Sequence, residues 1–447
     1  MKNSEKEGFD KGSQSSGEYD AFLEEKIIAY RREFHRYAES GWREFRTTAR
    51  IVEVLESLGY HVLSGKEVIH PPSVMGRDSE EVIAQHIKRA IEQGGSSSII
   101  NKMGRYTGAV GILETGRPGP TIALRFDIDA NDVLESNEEN HRPQVEGFRS
   151  LNEGMMHACG HDGHTAIGLG LAEYLMDNKK ELKGKIKFIF QPAEEGVRGA
   201  KAMIDKGILA DVDFFLSGHI GFQLPNGKFA PKTKGFLSTT KIDVEFTGEG
   251  AHAGSDPEKG KNALLAAVTA TSNIHSIPPH SEGVTRVNVG VLKAGVARNV
   301  IPPKAVMEIE TRGETEALNA LMYEKTIKII EHAAAMHNNY YQISKMGEAG
   351  TVSCDHELAE IVGNTVKDLG IMDEVVDIQY LGGSEDATLM IKEVQNRGGM
   401  ATYMIFGSAI GAGHHHEAFD FDECVLIKGL KIYAEVIKKI PTLRNDV

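Results

Sequence analysis

The segment Met156-His157-Ala158-Cys159-Gly160-His161-Asp162-Gly163-His164-Thr165 concentrates a thiol, three imidazoles and a carboxylate within nine positions, His157 to Thr165. A borderline-soft divalent cation accepts sulfur, nitrogen and oxygen donors, and Cys159 and His161 stand two positions apart on a turn containing Gly160. Alone, the run also fits a histidine-rich helix start with one buried cysteine. Two further clusters supply the donors it lacks: Glu194-Glu195 and His414-His415-His416, with His219 between them in the chain. Cys159, His161, Glu194, Glu195, His219 and one of the late histidines are too many ligands for one tetrahedral ion. They suit two ions that share a bridging ligand. Metals paired about 3.5–4 Å apart clamp a substrate oxygen and generate hydroxide from water at neutral pH. In a Glu-Glu pair, one carboxylate can ligate while its neighbour stays free as a general base.

These side chains have to be delivered to one place by the elements that carry them. Helical spacing of Phe22, Leu23, Ile27, Ile28 and Phe34 predicts a helix over 21–38, and the pattern resumes over 45–58 until Gly59. A short helix is predicted at 79–93, with Asp78 and Ser79 as candidate caps. Strand-like runs at 108–114 and 121–126 precede Asp127-Ile128-Asp129, and an apolar helix spans 165–176. A strand at 185–190 leads to Glu194-Glu195, and one at 213–217 leads to His219. Sites in open α/β sheets form beyond the carboxyl ends of the strands. Sequence order therefore sets Asp127, Asp129, Glu194, Glu195 and His219 at one sheet edge.

From about 237 the pattern changes to a strand at 239–246, a helix at 261–276, strands at 284–293 and 301–311, a helix at 315–337 and a strand near 340–346. That is the split β-α-β-β-α-β arrangement of a ferredoxin-like domain. The expected fold is α/β. A catalytic α/β/α domain with a mixed sheet, residues 21–236 and 350–447, is interrupted by a βαββαβ lid and dimerisation domain, 237–349. The polar, Gly/Ser-rich residues 1–20 are predicted to be a disordered tail.

The 447 residues exceed one small core and favour two domains. A net charge of −14 argues against nucleic acid or an anionic membrane as the main partner. No run of 18 or more apolar residues exists, so no membrane-spanning helix is predicted. The cysteines, Cys159, Cys354 and Cys424, form no disulfide framework, which points to a reducing compartment and a cytoplasmic protein.

The strings HACGHDGHT, FQPAEEG, GHIG, GAHAG, RNVIPP and GHHHEAFDFDE together resemble the dinuclear metallo-amidohydrolases. That family includes carboxypeptidase G, aminoacylase and auxin-conjugate hydrolases, and the resemblance spans roughly residues 25–440. The chain is most similar to the branch with a bridging cysteine. Within it, YAESGWREFRTT, NALLAAVTAT, SEGVTRVNVG, GSEDATLM and the long stretch 60–107 resemble enzymes that cleave aminobenzoyl-glutamate.

The resemblance implies that Cys159 is shared by two divalent ions, with His161 and His219 on one and Glu195 and His415 on the other. His415 is chosen because it lies four residues before Phe419. It also implies that Glu194 is the general base and that Asp129 orients a ligand. His252 would reach across a dimer interface to the oxyanion, while Asn299 and Arg312 hold the substrate carboxylate. Asp127 stands where other branches place a ligating histidine, so the coordination number of one ion stays open. Mn²⁺ is favoured by the resemblance, whereas thiolate plus imidazole also suits Zn²⁺.

The implied activity is hydrolysis of an N-acyl amino acid, first p-aminobenzoyl-glutamate to p-aminobenzoate and glutamate. Other aromatic or auxin-type conjugates are the alternative. A non-catalytic metal-binding protein is a third reading, and the intact Glu194 argues against it. The implied working unit is a homodimer, alone or together with a related sister chain of a second type.

Overall fold

The strands Thr121–Asp127, Lys185–Gln191, Phe214–Ile220 and Met400–Phe406 bury side chains on both faces, the pattern of a parallel sheet covered on both sides by helices. In the computed structural model, which describes residues 16–441, these four strands lie side by side and parallel at the centre of an eight-stranded mixed sheet. His61–Ser64 and Ala109–Glu114 continue it antiparallel at one edge. Lys228–Ala230 and Glu374–Val375 complete the other edge.

On one face Leu124, Phe126, Phe188, Phe190 and Leu216 pack under the helices Ser16–Arg36, His161–Asp177, His356–Leu369 and Cys424–Lys439. On the other, Ala123, Ile189, Phe215, Tyr403 and Ile405 pack under Ala200–Asp205 and Ala387–Asn396. The result is the expected α/β/α arrangement. The first helix starts at Ser16, inside the stretch expected to be a tail; residues 1–15 of that stretch lie outside the described residues.

The segment 60–107 supplies the edge strand His61–Ser64 and the helices Glu80–Glu92 and Ser97–Lys102. Ser79 caps the longer helix by accepting the Val82 N–H. Ile83, Ala90, Ile100 and Met103 pack on Phe45 and Ala49 as a small separate core.

Residues between Ser238 and Ala349 form a second sheet with strand order Tyr340–Ala349, Ser238–Thr247, Lys304–Gly313, Thr285–Ala294, antiparallel throughout. Ile242, Val244, Phe246, Met307 and Ile309 turn inward onto the helices Ala263–Ile274 and Glu316–Met336. The alternate residues Lys241, Asp243, Glu308, Glu310 and Arg312 face a cleft whose opposite wall includes Arg43, Asp78, Asp132 and Glu195. Among the described residues no helix is long and apolar enough to cross a membrane.

The helix His161–Asp177 begins four residues earlier than the expected start at 165 and is buried along most of its length. Its glycines explain how it lies directly on the sheet. A Cβ on Gly168 would sit 2.8 Å from the rings of both Phe126 and Phe190. Gly168→Val is therefore expected to overpack this contact and cost about 1–3 kcal/mol in urea unfolding; unchanged stability would show that the helix–sheet contact is looser than described.

Candidate metal centre

Gly160 caps the N-terminus of the helix His161–Asp177 with φ of 91°, a conformation that side chains with a Cβ rarely adopt. That turn sets Cys159 and His161 at the carboxyl edge of the parallel strands. The thiol is 3.4 Å from His219 Nε2. Donor atoms of Cys159, His161 and His219 all lie within 4.8 Å of one another, and so do those of Cys159, Glu195 and His415. Two donor triads thus share one sulfur.

The imidazoles are held with a lone pair aimed inward. His161 Nδ1–H donates to the Asp129 carbonyl at 2.9 Å, and His219 Nδ1–H donates to the Ile220 carbonyl at 2.8 Å, which leaves each Nε2 for the site. His161 Nε2 and Glu195 Oε1 are buried and have no hydrogen-bond partner among the described residues. Glu195 Oε1 lies 3.3 Å from His415 Nε2 without bonding to it. An unsatisfied buried polar group costs about 1–3 kcal/mol. A cation in each triad would satisfy these atoms, and the sulfur, nitrogen and oxygen donor sets fit divalent metals.

The Asp129 side chain accepts the backbone N–H of Glu194 at 3.0 Å and of Glu195 at 2.9 Å, fixing the Glu-Glu turn from below. Backbone strain marks the same place: Ala193 has φ of 52°, Val197 58° and His415 66°. The His415 N–H donates to the Ala158 carbonyl at 2.7 Å, which brings the late histidine loop against Cys159. Of its neighbours, His414 stacks on Phe222 and bonds the Ile220 carbonyl, while His416 Nδ1 accepts the Ala418 N–H. Among the described residues, His415 is the one member of the triplet that enters a donor triad with Cys159.

Burial pushes the Glu194 carboxyl well above the carboxylate range, helped by Glu385, Glu195 and Asp386. Burial raises Glu195 too, yet the His415 imidazole beside its carboxylate brings it down to about 2. Adjacent carboxyls are thus driven apart in proton affinity. Burial also raises the Cys159 thiol, and a bound cation would reverse that preference by stabilising the thiolate.

Sequence reasoning missed the partners of Asp127. His164 Nδ1–H donates to its carboxylate at 2.5 Å, Arg125 donates at 2.7 Å, and His164 Nε2 accepts the Ile220 N–H. Asp127 is therefore engaged with cationic and imidazole partners, 3.8 Å from His161 Nε2. Glu385 and Asp386, in the string GSEDATLM, complete the cluster around Arg125. A lone arginine in an apolar strand was the available signal.

The lid residues divide. Arg312 lines the same cavity of about 250 Å³ as Cys159, Glu194 and His219, and pairs with Glu310 at 2.9 Å. His252 and Asn299 do not reach it: both are exposed on lid loops, which are joined by the Ala253 N–H to Asn299 carbonyl bond. His252 Nδ1 accepts the Gly254 and Ser255 N–H groups, so the neutral ring carries its proton on the outward Nε2.

Asp129→Asn would set an amide NH₂ against one of the two N–H groups that the carboxylate now accepts. Metal affinity is expected to fall about 10–100-fold in competition titrations against a chelator. Unchanged affinity would remove Asp129 from the support of these ligands.

The sequence profile of Peptidase family M20/M25/M40 matches residues 123–439. A subunit of the p-aminobenzoyl-glutamate hydrolase of Escherichia coli (strain K12) is 46% identical over 425 residues, covering 95% of this chain and 98% of that protein. The indole-3-acetyl-aspartic acid hydrolase of Enterobacter agglomerans is 46% identical over 430 residues, covering 96% and 99%. The crystal structure of an aminobenzoyl-glutamate utilization protein from Klebsiella pneumoniae superposes with a TM-score of 0.83 at 40% identity, covering 96% of this chain and 100% of that one. Similarity that runs through the sheet, the lid and the donor-bearing loops alike shows that the chain belongs to Peptidase family M20/M25/M40.

Proposed function

We propose that this chain is a dinuclear metal-dependent amidohydrolase that cleaves N-acyl amino acids, with p-aminobenzoyl-glutamate as the first substrate to test. The observation that carries this reading is the pair of donor triads that share Cys159, with the buried Glu194 carboxyl lining the same cavity. Two divalent cations, held by Cys159, His161 and His219 and by Cys159, Glu195 and His415, would supply Lewis acidity and lower the pKa of water. Mn²⁺ is the favoured ion, and Zn²⁺ suits the same thiolate and imidazole donors.

The chain's own residues then divide the work. Glu194 takes the proton of the attacking water and delivers it to the leaving amine nitrogen, from a position in the cavity beside Cys159, Glu195 and His219. Arg312 binds the carboxylate of the leaving amino acid through the side of its guanidinium that the Glu310 pair leaves free. The outward Nε2–H of His252 serves as an oxyanion donor to a second copy of the chain, and Asn299, on the same exposed lid surface, helps to hold the substrate carboxylate there. This makes a homodimer the minimal unit. The Escherichia coli relative is named as one subunit of its hydrolase, which supports testing a sister chain of a second type alongside the homodimer. A thiol ligand at the centre suits the reducing cytoplasm.

The alternative substrate is an auxin-type conjugate, supported by the equal identity to the indole-3-acetyl-aspartic acid hydrolase. Turnover of both conjugates by the purified chain, with Mn²⁺ or Zn²⁺ and after chelation, separates them. Activity untouched by exhaustive chelation would end the metallohydrolase reading.

Glu194→Ala is expected to lower kcat by about 10²–10⁴ while retaining metal, whereas Glu195→Ala loses metal. The reverse pattern would exchange base and ligand. His252→Ala should cost about 10²–10³ in kcat with metal content intact. Mixed with Glu194→Ala chains, it should regain part of the activity, because one hybrid site carries both groups. No recovery after demonstrated exchange of protomers would mean that each chain completes its own site.

A further inference from the structure

We propose that Lys241 selects an acidic leaving amino acid by binding its side-chain carboxylate, so that the substrates are N-acyl conjugates of glutamate or aspartate rather than of neutral amino acids. Lys241 lies on the lid strand Ser238–Thr247, on the face opposite the inward Ile242, Val244 and Phe246. It lines the cavity that holds Cys159, Glu194, His219 and Arg312, and also the adjoining cleft. Half-buried there, its side-chain ammonium has no hydrogen-bond or ion-pair partner among the described residues.

That isolation is not for want of a nearby carboxylate. Glu310 is the direct cross-strand neighbour of Lys241, yet its carboxylate is taken by Arg312 Nε at 2.9 Å and by the Thr239 hydroxyl at 3.1 Å. The lid thus presents two cations to the site with one carboxylate between them, and the acidic group is committed to the arginine.

The register fixes their relation. Lys241 pairs with Glu310 and Thr239 with Arg312, so the two cations are diagonal neighbours on one face. Such neighbours stand about 7–8 Å apart at the backbone, within reach of long side chains that converge on one small molecule. A dicarboxylic amino acid offers two carboxylates a few bonds apart. Arg312, with its planar fork, suits the α-carboxylate, and Lys241, a point charge on a flexible stem, suits a side chain of either aspartate or glutamate length. The two relatives at 46% identity carry names that specify glutamate and aspartate conjugates.

This inference rests on the hydrolytic reading above, and the test separates the two. Binding and turnover of p-aminobenzoyl-glutamate and of its neutral isostere p-aminobenzoyl-glutamine are measured with the metal-loaded chain, wild type, Lys241→Met and Lys241→Arg. The wild type is expected to prefer the glutamate conjugate. Lys241→Met should weaken its binding and kcat/KM about 10–100-fold, chiefly through KM. The loss on the glutamine conjugate should be about threefold or less, and Lys241→Arg should restore most of the preference. Equal losses on both conjugates, or a wild type that binds them equally, would overturn the assignment of Lys241. Preferential binding of the glutamate conjugate without turnover would leave Lys241 assigned and overturn only the hydrolytic reading.

Discussion

Arg125 donates to Asp127, Gln191, Glu385 and Asp386 from a position on the central strand that water does not reach. Those partners come from separate parts of the chain and are themselves tied onward. Asp386 accepts the N–H groups of Gly199 and Ala200 beyond the Glu-Glu turn, and Glu385 accepts the Tyr403 hydroxyl from the strand Met400–Phe406. A buried guanidinium deprived of its carboxylates, or the reverse, costs about 3–5 kcal/mol. The loops that converge on the site are thereby anchored to one charge. The same cluster sets the chemistry, because Glu385 and Asp386 are among the groups that push Glu194 toward holding a proton.

A second buried network does the matching work on the opposite face. Arg31 bonds Asp162, Asp420 and Glu423, and His35 bridges Asp162 and Glu135. Burial opposes charge on His35, yet its two acidic partners raise it to about 9, so it is an imidazolium at neutral pH. Asp162 adjoins His161, and Asp420 and Glu423 follow the His415 loop, so this network fixes the N-terminal helix, the thiol turn and the late histidine loop to one another. Both networks exchange desolvation for mutual neutralisation, and both sit directly behind donor residues.

The lid repeats one principle on a smaller scale. Strict alternation in Ser238–Thr247 and Lys304–Gly313 sends Ile242, Val244, Phe246, Met307 and Ile309 into the lid core. The charged residues between them are left to face the catalytic sheet. One strand therefore both stabilises the lid and chooses what enters the cleft.

The elements were legible because their signals are local. Apolar strands, helical spacing and the switch to alternation after about 237 follow from side-chain period alone, and the observed strands and helices of the lid fall within a few residues of those expected. That Glu194, Glu195 and His219 share one edge was legible too, since each follows a predicted strand. Pairings between distant positions were not. Arg125 with Glu385, His164 with Asp127, and Lys241 left unpaired while Glu310 turns to Arg312 depend on which surfaces meet, and no local period encodes that. Residue types and spacing determined that this chain builds a sheet edge rich in metal donors. Only the packed structure decided which carboxyl there is driven to hold a proton and which is held ionised, because burial and neighbouring charge exist only once the chain has folded.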